Sequence, residues 1–158
     1  LIGIDANAST INYAKELSKD YPEITYLQQD IFSDEFKLLE YDLVLATLFL
    51  HHFKENQLME LLSSQIKTAK LGVVVNDFHR HRLAYYLFKG LGLFIKNPMV
   101  KQDGLTSILR GFKRKELENI SKKLNAKSKI NWRWAFRFQW ILKKGTRDKV
   151  RNTKFEHE

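Results

Sequence analysis

The chain has no cysteine, and its two prolines and seven glycines are spread thinly over 158 residues. Without cysteine there is no disulfide framework, no thiolate metal site and no cysteine nucleophile, a composition that fits a reducing cytoplasm. No apolar run approaches the roughly 20 residues needed to span a bilayer. The first residues carry neither a basic n-region nor a signal-like apolar core. The single GxG, Gly90–Gly92, falls within an apolar helical stretch, where it reads as a packing or kink feature rather than a phosphate loop.

What is present describes a folded domain. The 44% hydrophobic and 13% aromatic content over this length suits one domain with a real core, and no internal repeat or second domain is visible. The net charge of +9 raises nucleic acid or an anionic substrate as a partner. Much of the excess lies after Lys96, as single Lys and Arg residues spaced through 110–129 and the tail 143–158. A solvated helix face and a disordered tail explain that spacing better than an RNA track does.

Hydrophobic patterning gives an alternating plan. Residues 1–5 read as a strand, 9–19 as a helix with Ile11, Ala14 and Leu17 on one face, and "ITYLQQDIF" as a second strand ending near Asp30. "YDLVLATLFL" is apolar almost throughout, as a strand covered on both faces should be. A helix over 54–70 and a fourth strand, "LGVVVNDF", follow. This alternation predicts right-handed crossovers and a doubly wound, parallel α/β sheet. Beyond it, residues 80–94 form an apolar helical stripe suited to lie over the ligand edge, and 96–111 read as a loop. A helix over 113–124 precedes "KINWRWAFRFQWILKK", read as two antiparallel strands turning near 131–135, with one long edge strand as the alternative.

The strand ends converge on one edge and present Asp5, Asp30, Thr47 and Asn76-Asp77. In open α/β sheets ligands bind at this edge. Asp5 can take both hydroxyls of a ribose, and Asp30 can accept from the exocyclic amine of adenine while Ile31 or Ala6 packs on the ring. Hydrogen bonds to charged groups contribute about 1.5–3 kcal/mol each, enough to fix a nucleoside's orientation. Taken alone, Asp30 reads better as a helix cap or a solvated turn residue; two acids at matching strand ends do not.

The succession "GIDANASTINYAKEL", "YLQQDIF", "YDLVLATLFLHHF", "GVVVNDFHRHRLAYYLF" and "ILRGFKRKELENI" resembles the Rossmann-like, class I S-adenosylmethionine-dependent methyltransferases, up to about Lys144. Within them it is most similar to the small-molecule enzymes of the quinone-biosynthesis type. The resemblance implies a three-layer fold whose final hairpin inserts antiparallel into the sheet, and S-adenosylmethionine as cofactor. It makes Asp5 the ribose acid with Ala6 and Asn7 beside the cofactor, Asp30 and Ile31 the adenine pair, and Thr47 and Leu48 the passage for the methionine moiety. The family's glycine-rich loop precedes "GIDA" and is absent. The expectation is therefore a partial methyltransferase domain over 1–144, lacking the first strand and helix and so an incomplete sheet, followed by a charged tail over 145–158.

Methyl transfer needs an in-line approach and a desolvated nucleophile, and a base when the acceptor is a hydroxyl or carbon acid. His51 and His79 are the candidate bases, with His52, Asn76 and Arg80 on the acceptor side, Arg80 as a clamp for an anionic group. A metal site is disfavoured, because HH and HxH lack a carboxylate at ligand spacing. The period-two aromatics of the last strands should pack against helices rather than stack on bases. The third strand ends in "ATLFLHH" rather than the Asn/Asp-Pro-Pro-aromatic signature of base-amine methylation, which favours oxygen or carbon of a phenolic, quinone-like or polyketide acceptor. An RNA methyltransferase, supported by the charge, and a non-catalytic module that binds a partner or a second copy through an open sheet edge are the alternatives.

Overall fold

The computed structural model describes residues 1–145, so the expected tail lies, apart from Gly145, outside the described residues. Strand β1 (Ile2–Asp5) runs through helix α1 (Ala8–Leu17) to β2 (Thr25–Gln28), and the two strands pair in parallel. Asn7 starts α1 by accepting from the backbone N–H groups of Ser9 and Thr10 at 2.8 and 3.4 Å, which satisfies donors the first helical turn leaves free. A short helix α2 (Asp34–Lys37) leads to β3 (Leu43–Thr47). A 3-10 turn over Leu50–His52 and helix α3 (Glu55–Thr68) then carry the chain to β4 (Gly72–Phe78), parallel to β3.

Three helices follow, α4 (Arg82–Leu91), α5 (Pro98–Arg110) and α6 (Arg114–Lys123), and then the hairpin β5 (Ala126–Arg133) and β6 (Arg137–Lys144). Strand β6 lies antiparallel beside β4, giving the order β3-β4-β6-β5. The hairpin turns through Ala135 and Phe136, both at positive φ. Strands β1 and β2 form a separate two-stranded sheet. Among the described residues, β1 pairs only with β2 and β3 only with β4, so no strand pairing joins the two sheets.

The core belongs to the four-stranded part. Trp140, Leu50, Leu62, Leu117, Leu142, Val73 and Val75 are less than 2% exposed, and the Trp140 indole N–H donates to Ser121 Oγ at 3.1 Å. In the first thirty residues only Ile11 is buried.

Three expectations fail. Strand β3, expected to be covered on both faces, leaves Leu43 and Leu45 45% and 63% exposed, because among the described residues it pairs only with β4. The predicted loop over 96–111 is mostly helix α5: Asn97 accepts from the N–H groups of Met99 and Val100, and Pro98 sits in the first turn, where its missing N–H costs nothing. Gly104 in its middle disguised it; a Cβ there would run into the Phe88 ring of α4, so this glycine lets the two helices approach. The hairpin aromatics also divide, since Phe138 and Trp140 are buried while Trp132 and Trp134 are 51% and 87% exposed. Trp134 lies in the turn, beyond the strand pairing that buries its successors.

Candidate functional site

Parallel pairing sets the two acids side by side. Asp5 is opposite Gln28 at the end of β1, and Asp30 lies two residues past β2. Each uses the same local device: Asp5 Oδ1 accepts from Asn7 N–H at 2.7 Å, and Asp30 Oδ1 from Phe32 N–H at 2.9 Å. Such turns hold a carboxylate at a fixed angle to the chain. The second oxygen of each, Oδ2, has no hydrogen bond among the described residues. Ala6 and Asn7 are exposed beside Asp5, and Ile31 is half-buried against the core.

On the other sheet Thr47 pairs with Asn76, so β3 ends two residues short of the end of β4. Leu48, next after Thr47, adopts φ 52°, an uncommon conformation for a leucine. Its N–H donates to the Asn76 carbonyl at 2.8 Å, while the Asn76 side-chain oxygen is buried without a partner.

Just beyond stands a feature that sequence reasoning missed. His51 and Asp77 form a buried pair, Nδ1 to Oδ1 at 2.7 Å, with both side chains 2% exposed. Asp77 Oδ2 accepts from the N–H groups of Leu50 and His51 at 2.8 and 3.2 Å, and Oδ1 also accepts from Phe78 N–H at 2.7 Å. The carboxylate thus fixes the 3-10 turn and the imidazole together. Because a carboxylate only accepts, the ring proton belongs on Nδ1, leaving a lone pair on Nε2. That Nε2 is buried and has no partner. The signal was available: an acid closing a run of valines in a covered strand must have donors.

The remaining candidates fall in other neighbourhoods. The His52 ring lies 4.1 Å from that of His51, and its pKa is lowered, first by desolvation and then by His51. His79 packs on Phe138 and His81, with ring centroids 4.5 and 5.2 Å away. Burial first, then His81 and Arg114, lowers its pKa, and its Nδ1 is buried without a partner. The structure therefore does not join His79 to the His51–Asp77 pair. Arg80 is ion-paired with Glu116 and lines, with Phe53, Arg110 and Phe112, a cavity of about 570 Å³ that contains neither strand-end acid nor His51. No group of three or more His, Cys, Asp or Glu residues able to hold a metal occurs among the described residues.

Residues 1–68 match the family model described as a methyltransferase domain. That match covers less than half of the chain, and the architecture is the fold shared with the solved structures that follow. Among solved structures it is similar to the plantazolicin methyltransferase BpumL, determined with a triazolic desmethylPZN analog and SAH. That likeness has 14% identity and a TM-score of 0.68, over 91% of this chain and 67% of that one. It is also similar to the magnesium protoporphyrin IX methyltransferase ChlM of Synechocystis PCC 6803 with bound SAH, at 13% identity and TM-score 0.57, over 90% of this chain and 64% of that one. A putative O-methyltransferase of Nostoc punctiforme PCC 73102 shares 22% identity and TM-score 0.61, over 89% of this chain and 43% of that one. The chain thus spans about two thirds of the length of the first two and less than half of the third. No curated protein matches the sequence.

Proposed function

We propose that residues 1–144 are a partial methyltransferase domain that binds S-adenosylmethionine through the β1–β2 edge and methylates oxygen or carbon of a small-molecule acceptor. The observation that carries the oxygen-or-carbon reading is the buried His51–Asp77 pair, with its unpartnered Nε2 beside the ends of β3 and β4. The cofactor supplies an electrophilic methyl group. The residues present fit it: Asp5 and Asp30 each retain a free carboxylate oxygen at adjacent strand ends, with Ala6, Asn7 and Ile31 beside them. Thr47 and Leu48 border the same edge on the other sheet.

In this reading His51 Nε2 takes the proton of the acceptor's hydroxyl or activated C–H, and Asp77 stabilises the imidazolium that results. A site this dry keeps the acceptor desolvated. His52 and Asn76 lie nearest on the acceptor side. His79 is a second base candidate for a differently placed acceptor, and Arg80 a clamp only if an acidic acceptor group displaces Glu116.

The test is a pair of measurements on the same protein: calorimetric titration with S-adenosylhomocysteine, and turnover with a phenolic acceptor in the presence of S-adenosylmethionine. His51→Gln should leave the titration unchanged and lower turnover by about 10² or more. Unchanged turnover would remove His51 as the base, and no binding by the parent protein would make the strand-end acids structural.

A further inference from the structure

Helix α4 is amphipathic the wrong way round for a helix of a sealed domain. It docks by its small and aromatic side: Ala84 is buried, Tyr85 and Phe88 are half-buried, and Phe88 lies against Gly104 of α5. The opposite face carries its larger aliphatic residues outward. Leu83, Leu87 and Leu91, one i, i+4 row, are 51%, 53% and 62% exposed, and Tyr86 beside them is 65% exposed. The exposed apolar surface continues past the helix through Leu93 and Phe94 to Met99 and Val100 at the start of α5.

Charge along this segment is one-sided as far as Asp103, which is exposed one turn beyond Met99 and Val100. Residues 78–102 contain no Asp or Glu and five cations, Arg82, Lys89, Lys96, Lys101 and Arg80, the last paired with Glu116. Arg82 and Lys89 are seven residues apart, so they lie together along one border of the leucine row. Lys96 lies in the segment between α4 and α5, and Lys101 near the start of α5. The hairpin tip adjoins the start of α4, since His81 stacks on Phe136 with centroids 5.2 Å apart, and it adds the exposed Trp134 and Trp132.

We propose that this face is a docking surface for an anionic lipid bilayer, with α4 lying in the plane of the interface. An aliphatic row bordered by long cationic side chains, which reach headgroups while their stems stay in apolar surroundings, is the pattern of an interfacial helix. Tryptophan at the margin suits the same boundary. Nucleic acid would use the cations, but leucine, methionine and valine offer no stacking face to bases. A protein groove would take the leucines without requiring 25 residues free of carboxylates. The inference stands apart from the methyl-transfer reading, because it uses neither the strand-end acids nor His51.

The experiment is co-sedimentation of the 158-residue chain with vesicles of phosphatidylcholine alone and of phosphatidylcholine mixed with phosphatidylglycerol, following tryptophan emission in parallel. Binding to the mixed vesicles, weakened by salt and accompanied by a blue shift, is the expected result. The double variant Leu87→Glu, Phe94→Glu should bind about tenfold or more weakly, with an unchanged circular dichroism spectrum because both side chains are solvent-exposed. Lys89→Gln with Lys96→Gln should abolish the preference for anionic lipid. Absence of vesicle binding, equal binding to both vesicle types, an unaffected double glutamate variant, or binding to an RNA oligonucleotide in place of vesicles would each overturn the proposal.

Discussion

The two sheets of this molecule are built from the same strand-helix-strand unit, yet they are stabilised very differently. Strands β1 and β2 pair through four residues each, with Ile11 the one buried side chain in the first thirty residues. The β3-β4-β6-β5 sheet buries Trp140, Val73, Val75 and Leu142 almost completely, in one cluster with Leu58, Leu61 and Leu62 of α3 and Leu117 and Ile120 of α6. What the two share is an edge presenting polar groups at strand ends. The weaker unit presents carboxylates with a free oxygen, whereas the stronger one presents a histidine held by a buried acid. The proposed function therefore divides cofactor recognition and proton transfer between regions of unequal burial.

The largest expected effect breaks that contrast from the core side. Trp140→Ala should cost about 3–5 kcal/mol in urea unfolding, while Ile11→Ala, outside the main cluster, should fall near 2 kcal/mol. Equal costs would mean that the two sheets form one cooperative core. Next, Asp77→Asn leaves the N–H groups of Leu50 and His51 with a poorer acceptor, and should lower the unfolding free energy by about 1–3 kcal/mol. A shift no larger than that of a surface substitution would show that the 3-10 turn is held by packing alone.

A smaller effect sharpens the comparison from the other sheet. Asp5→Ala should weaken S-adenosylhomocysteine binding by about tenfold, near 1.4 kcal/mol, and should change stability by no more than about 0.5 kcal/mol. Unchanged affinity in a calorimetric titration would withdraw the ribose assignment. The smallest effect concerns acid. His79 titrates below its ordinary 6.5 because burial penalises the charged ring. The unfolded chain therefore binds the proton first, so this contribution to stability is complete above pH 6.5 and is lost as pH falls through the lowered folded value. His79→Gln should flatten that part of the unfolding-versus-pH curve, and an unaltered slope would place the acid sensitivity elsewhere.

The alternating plan was legible because the strands "LVLAT" and "GVVVNDF" open as unbroken apolar runs, although Leu43 and Leu45 of the first are exposed, and the intervening helices repeat at three and four residues. Helix α5 was not, because Gly104 and Asp103 look like a turn until Phe88 is known to occupy the space beside the glycine. The exposed Trp132 and Trp134 and the buried Phe138 and Trp140 share one alternating pattern in sequence. Only the position of the turn tells them apart.

Strand-end acids, neighbouring histidines and the order of elements follow from the amino-acid sequence itself, because short-range periodicity and the direction of parallel strands determine which residues reach one edge. Which histidine meets which acid does not, since His51 and Asp77 are 26 residues apart and joined only by the pairing of β3 with β4. Nor does periodicity reveal which face of α4 turns outward. That was decided by the fit of Phe88 against Gly104, a contact between helices that fixes the rotation of one on the other and leaves the leucine row in solvent.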